Sequence, residues 1–201
     1  NYMSSFKNRL AEALENMRRP SLTLGKLIAL RMALNPEKVI TTPEPETLAL
    51  WDKLLADGKR IVAIGNSDAH GTPMSLGPIT REIFPYDFLF RAVNTHLLLP
   101  EPLSGNLETD RRLIHQAIGQ GNAFVGYDMP HPTKGFRFSG KGQNQGIMGD
   151  RIKMDAGATL QVRAPKKAPI RLIHHGEVVA ETNNNAALTY TPLEPGAYRV
   201  E

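Results

Sequence analysis

Apolar residues recur at helical spacing in the first third of the chain. Phe6, Leu10, Ala13, Leu14 and Met17 mark one face of a helix over 6–17, and LTLGKLIALRMAL (22–34) is apolar enough for a buried helix ended by Asn35-Pro36. TTPEPETLALWDKLLADG (41–58) reads as a third. Thr42 suits its cap, Pro43 its first turn and Glu44 and Glu46 its N-terminus, Gly58 closes it, and Leu48, Trp51, Leu54 and Leu55 form the apolar stripe. The pattern then changes period. KRIVAIG (59–65) is an unbroken apolar run, as expected of a strand covered on both faces of a parallel sheet. RAVNTHLLL (91–99) predicts a strand, LETDRRLIHQAIGQG (107–121) a helix ending at glycine, and NAFVGYD (122–128) another strand.

Beyond Asp128 the texture shifts to short runs such as GFRFSG, ATLQVRAP, IRLIHHGEVVAET, ALTYTPL and AYRVE, with turn signals about every ten residues. That spacing predicts a small antiparallel β-sandwich. His175-Gly176, between IRLI and EVVA, falls where a two-residue hairpin turn belongs and takes the place of Asn-Gly. The expected architecture is α/β over 1–128 followed by an immunoglobulin-like β-sandwich over 129–201, the boundary lying near 128–136. No tandem repeat or low-complexity run interrupts it.

Composition narrows the chemistry. The 201 residues can bury a sizeable core, and with no cysteine a metal must sit on His, Asp or Glu. The net charge of +4 suits a phosphate-bearing ligand and is too diffuse to argue for nucleic acid; Arg18-Arg19, Arg111-Arg112 and Lys166-Lys167 read as solvated surface. No stretch approaches the ~20 apolar residues that span a bilayer, and no secretion signal opens the chain, so it reads as soluble, without a membrane partner. It begins abruptly before a helix and stops at AYRVE in what reads as mid-strand, as a piece of a longer protein would.

The densest candidate chemistry is IVAIGNSDAHGTP (61–73). On an extended backbone Asp68 and His70 lie on the same side, with Ala69 pointing away. One carboxylate and one imidazole suit Zn²⁺, Mn²⁺ or Fe, whereas Mg²⁺ or Ca²⁺ prefers oxygen alone. Gly65 and Gly71 allow tight turns beside such a site, and the end of a buried parallel strand is where α/β barrels carry their active sites. By spacing alone a polar turn or helix cap built on the same residues stands as the alternative. Ser67, Asp68 and His70 do not make a hydrolase triad, because near neighbours on one strand do not line up as nucleophile, base and orienter.

GNSDAH after such a strand, preceded by LWDKLLADG and followed by Gly-x-Pro, resembles the last metal-binding motif of the PHP (polymerase and histidinol phosphatase) superfamily. It is most similar to the carbaryl-hydrolase-like branch with a β-sandwich after the barrel, and the order LETDRRLIHQAIGQGNAFVGYD, GFRF, IRLIHHGEVV, LEPGAYRVE extends the likeness over most of the chain. The resemblance implies the C-terminal portion of a distorted (β/α)₇ barrel, two or three divalent metal ions (Zn, Mn or Fe) that activate water against a small phosphorylated or ester substrate, and Asp68 and His70 as metal ligands. The family's earlier motifs, including His-x-His on the first strand, have no counterpart: no histidine precedes His70. The implied partner is therefore the N-terminal barrel portion of the same protein, and this chain alone is expected to be inactive.

Other histidines carry less. Asp128 and His131 in YDMPHP suit a polar linker before a ligand role, His96 either faces the barrel mouth or packs in the core, the core reading leading, and His115 suits a solvated or capping role on its helix. His174 and His175, being consecutive, are expected to point opposite ways and not to hold one ion jointly unless the turn distorts. GQGNAFVG and GKGQNQG lack the strand, turn and helix order of a phosphate loop. The competing function is a non-catalytic β-sandwich that binds a barrel, a partner or a glycan; Phe136, Phe138, Tyr190 and Tyr198 are expected to serve its core rather than stack on sugar.

Overall fold

The computed structural model describes residues 43–67, 69, 71–76, 79–83 and 85–201, so the helices expected over 6–17 and 22–34, and Thr42, lie outside the described residues. The chain is a mixture of helices and antiparallel sheet. It divides into two compact units: Gly65–Asn94 with Tyr127–His131 belong to one, and Ala49–Ile64, Thr95–Gly126 and Pro132–Glu201 form the other.

Helix α1 spans Pro45–Ala56. It begins two residues later than Pro43, because the Glu44 carbonyl accepts the first bonds, from the N–H groups of Thr47 and Leu48. Its end is the one glycine chemistry dictates: Gly58 has φ +75°, and the N–H groups of Gly58 and Lys59 donate to the carbonyls of Leu55 and Leu54. Leu48, Trp51, Leu54 and Leu55 are half-buried along one side, and the Trp51 indole N–H donates to the Ile61 carbonyl at 3.1 Å. Arg60 donates to the carbonyls of Gln120 (2.6 Å) and Gly149 (2.9 Å).

Residues 59–67, expected to contain a strand, run without helix or ladder. A strand exists through a ladder with its neighbours' backbone groups, and among the described residues no ladder forms along this run; Ile61 and Ile64 are exposed. In the first unit a hairpin follows, β1 (Thr72–Leu76) and β2 (Ile79–Ile83), in a register that sets Pro73 opposite Glu82. A short helix α2 (Tyr86–Leu89) brings Leu89, Ala92 and Val93 into the interior.

Strand β3 (Val93–Leu97), helix α3 (Leu107–Gln120) and strand β4 (Ala123–Tyr127) occupy the predicted positions. Asn106 caps α3 by accepting from the Thr109 N–H, and Gly121 ends it at φ +77°. The two strands pair with each other in a two-stranded sheet. The Leu98 N–H donates to the Asn122 carbonyl and the Asp128 N–H to the Ala92 carbonyl, bonds that set β3 and β4 antiparallel. The link 98–106 is long enough to carry the chain back past the strand before α3 returns it.

The last part of the second unit is a five-stranded antiparallel sheet of β5 (Arg137–Lys141), β6 (Gln145–Ile147), β7 (Thr159–His174), β8 (Glu177–Tyr190) and β9 (Tyr198–Val200). Its order is β6-β5-β7-β8, with β9 also pairing β7. Val162, Ile170, Leu172 and Leu188 form its core, and Phe136, Phe138, Tyr190 and Tyr198 all pack against them. The β7–β8 turn is the predicted one. His174 pairs with Glu177, and His175 (φ +51°) and Gly176 (φ +83°) both take the left-handed conformation of a type I′ hairpin.

An ion-pair cluster joins the second unit's first and last elements. Arg199 on β9 donates through Nε and Nη2 to both carboxylate oxygens of Asp52 on α1 and through Nη1 to Glu201, which also pairs with Arg171. Burial alone would lower the Arg199 pKa, but the hydrogen bonds and charges of Asp52 and Glu201 outweigh it and hold the pKa above the ordinary arginine value. No described helix is long and apolar enough to cross a membrane.

Candidate functional site

Asp68 and His70 lie outside the described residues; Gly65, Asn66, Ser67, Ala69 and Gly71 frame them. Gly71 has φ +32°, and a Cβ there would run into Glu82 Oε1 and lie 3.1 Å from the Tyr86 ring. The Glu82 carboxylate thus rests against the residue that follows His70. This placement comes from the β1–β2 register, which returns the chain so that Glu82 faces Pro73. Glycine is required at 71 on both counts, conformation and space.

The compact unit that contains Gly65–Asn94 also contains Tyr127–His131, and so takes in Asp128 and His131. Asp128 is half-buried and held in place: its Oδ2 accepts from Asn94 Nδ2 at 3.0 Å and its N–H donates to the Ala92 carbonyl at 2.9 Å. That is more order than a polar linker needs. His131 is exposed.

His96 has the packing role that leads from its sequence position. Its ring stacks on Phe124 with centroids 4.6 Å apart, its Nε2 lies 3.2 Å from Thr133 Oγ1, and a Cβ on Gly126 would come within 3.0 Å of it. His115 is exposed on α3, as expected.

His174 and His175 depart from expectation. Their rings stand 3.9 Å apart instead of pointing opposite ways, because the left-handed backbone at His175 turns its side chain back toward the strand. His174 Nδ1 bonds the Ala197 carbonyl at 3.1 Å, its ring stacks on Tyr198 at 4.2 Å, and its Nε2 is buried without a partner.

Among the described residues no three His, Asp or Glu side chains converge as metal ligands do. In sequence, residues 65–82 carry the carboxylate of Asp68 and the imidazole of His70, and the structure sets the Glu82 carboxylate beside Gly71. An imidazole with two carboxylates fits a borderline divalent ion such as Zn²⁺, Mn²⁺ or Fe²⁺. Glu82 was not marked by spacing, since twelve residues separate it from His70. The signal available in the sequence is Gly77-Pro78 between two short β-rich runs, a hairpin turn that would return Glu82 toward the motif. Comparison of the chain with protein-family models, with curated proteins and with solved structures found no match.

Proposed function

We propose that the chain is the C-terminal part of a PHP-type metal-dependent hydrolase acting on phosphoesters or related esters, to which it contributes the last ligand motif, Asp68 and His70. The observation that carries this reading is the motif in its setting: GNSDAH follows helix α1, a glycine stop at Gly58 and the apolar run 61–64, and Glu82 lies against the residue after it. In this reading residues 1–128 are the C-terminal portion of a (β/α)₇ barrel and 129–201 an immunoglobulin-like β-sandwich to which the five-stranded sheet belongs. The run 59–65 would find its ladder partners in the N-terminal barrel portion.

Asp68 and His70 hold the ion, Ala69 leaves room between them, and Glu82 adds negative charge beside it. When bound, the divalent ion supplies Lewis acidity toward water and the ester oxygen. Two ligands do not fill the first shell of a hydrolytic site, so this chain alone is inactive.

Metal content after equilibration with Mn²⁺ or Zn²⁺, together with hydrolysis of 4-nitrophenyl phosphate, tests the reading. Weak retention that disappears in Asp68→Ala and His70→Ala, without turnover, is expected. Retention unchanged in both variants overturns it. A non-catalytic module is the second reading, favoured by the sheet's own core of Val162, Ile170, Leu172 and Leu188. Tight stoichiometric metal with turnover lost in Asp68→Ala would sink that alternative.

A further inference from the structure

The charge of the chain is unevenly placed. Residues 129–201 hold ten Lys and Arg against six Asp and Glu, while 1–128 hold fourteen of each, so the whole excess of +4 falls in the later part. No acid occurs in 129–149, 156–176 or 182–193, the stretches that build β5, β6, β7 and most of β8. Alternation along the strands sends Phe138, Val162 and Leu188, mutual neighbours across β5, β7 and β8, to the core. It sends Arg137, Lys141, Gln161, Arg163 and Thr189 to the opposite, exposed face.

Arg137 and Arg163 are direct cross-strand partners. Their Cα atoms therefore lie about 5 Å apart, an arrangement that costs stability unless an anion sits between the two guanidinium groups. Lys134, Lys166 and Lys167 are exposed around the same strand ends, where Gly135 backs onto Pro165. Among the described residues none of these cations makes an ion pair. Glu177 and Glu181 belong to the far end of the hairpin, Glu181 opposite Arg171.

We propose that this face of the sheet, centred on Arg137 and Arg163, binds an acidic polysaccharide. Two arginines on adjoining strands, Arg137 also donating through Nη1 to the Phe136 carbonyl at 2.7 Å, match a carboxylate or sulfate, further cations lie along the strands for the next charges of a linear polymer, and Gln161, Thr189 and Ser139 offer partners to sugar hydroxyls. Single-stranded nucleic acid fits less well, because the rings on which bases would stack, Phe136, Phe138 and Tyr190, pack into the core. An anionic membrane fits less well too: Ile147 is the exposed large apolar side chain on β5 and β6, too little for insertion.

The test is titration of the full chain with fluorescein-labelled polygalacturonate in about 150 mM salt, with dextran, oligothymidylate and phosphatidylserine vesicles as competitors. Saturable binding that weakens with salt is expected, reduced about tenfold or more in Arg137→Gln/Arg163→Gln and less in Arg137→Lys/Arg163→Lys, which keeps charge but loses the forks. Arg111→Gln/Arg112→Gln, on exposed positions of α3, removes the same charge and leaves binding unchanged. Lys166→Gln/Lys167→Gln is a second variant at exposed positions, also expected to weaken binding, should the arginine pair be needed for folding. Absence of polygalacturonate binding, equal loss in the α3 control, or stronger competition by oligothymidylate or vesicles than by unlabelled polygalacturonate overturns the proposal.

Discussion

Replacing Asp52 by Ala removes the carboxylate that holds Arg199 by two hydrogen bonds. The side chains of Arg199 and Asp52 are only 9% and 13% exposed, so the guanidinium left behind is largely cut off from water. Breaking a buried pair from one side costs about 3–5 kcal/mol. Glu201 keeps one bond to Arg199 at 2.6 Å and the Trp51 ring lies 5.8 Å from its Cζ, which argues for the lower end, about 3 kcal/mol. With a urea m-value of about 2 kcal/mol/M, the midpoint should fall by about 1.5 M. The double variant Asp52→Leu/Arg199→Met, which removes both charges and keeps apolar volume, should recover most of that loss. Urea unfolding followed by far-ultraviolet circular dichroism and by the single tryptophan, Trp51, measures all of them. An Asp52→Ala midpoint within about 0.3 M of the unaltered protein would refute the reasoning, since an exposed pair is worth about 0–1 kcal/mol.

Three further perturbations have expected outcomes. Gly176→Ala places a side chain at φ +83° in the hairpin turn and should cost about 1 kcal/mol in the same urea experiment, whereas His175→Asn, which tolerates the left-handed conformation, should cost nothing measurable. Gly126→Ala should cost about 1–3 kcal/mol and shift the His96 ring resonances, because the new methyl meets Thr133 Oγ1 and the His96 imidazole. The Asp110 carboxyl is held below its ordinary pKa by the Ser104 N–H first, with the Ser104 hydroxyl and the Gly105 N–H adding to it against an opposing desolvation. A depressed folded-state pKa contributes stability that is complete above the unfolded value of about 3.9 and is lost as pH falls from there through the folded-state pKa, so Asp110→Asn should flatten the stability profile below about pH 4; an unchanged slope would contradict that assignment.

What the sequence discloses depends on how local its cause is. Gly58 and Gly121 end their helices where the apolar stripes stop, and His175-Gly176 makes its turn, because each conformation is set within a few residues. The run 59–65 reads as a strand through its side chains, yet a ladder is a property of neighbours, and among the described residues it has none. Strands β7 and β8 read as several short runs, since Pro165 and Pro169 suggest breaks. The strand continues through them with register shifts near Ala168, where the proline positions need not donate to a regular ladder.

Contacts between distant positions were not legible at all. Asp52 and Arg199 are 147 residues apart, and nothing in either surrounding sequence names the other. The candidate site shows the same division. Asp68 and His70 declare themselves by their spacing in the sequence, whereas Glu82 reaches Gly71 through the hairpin register, and Asp128 accepts from Asn94, thirty-four positions earlier.

The most direct measurement is Mn²⁺-induced paramagnetic broadening in nuclear magnetic resonance spectra of the isotope-labelled chain, which detects even weak ligation residue by residue. The amides of residues 65–71 and the His70 ring should broaden first, with Glu82 next, and Asp68→Ala and His70→Ala should each abolish the effect. Broadening centred instead on His131, His174 or His175, or persisting unchanged in both variants, would contradict Asp68 and His70 as the metal-binding motif.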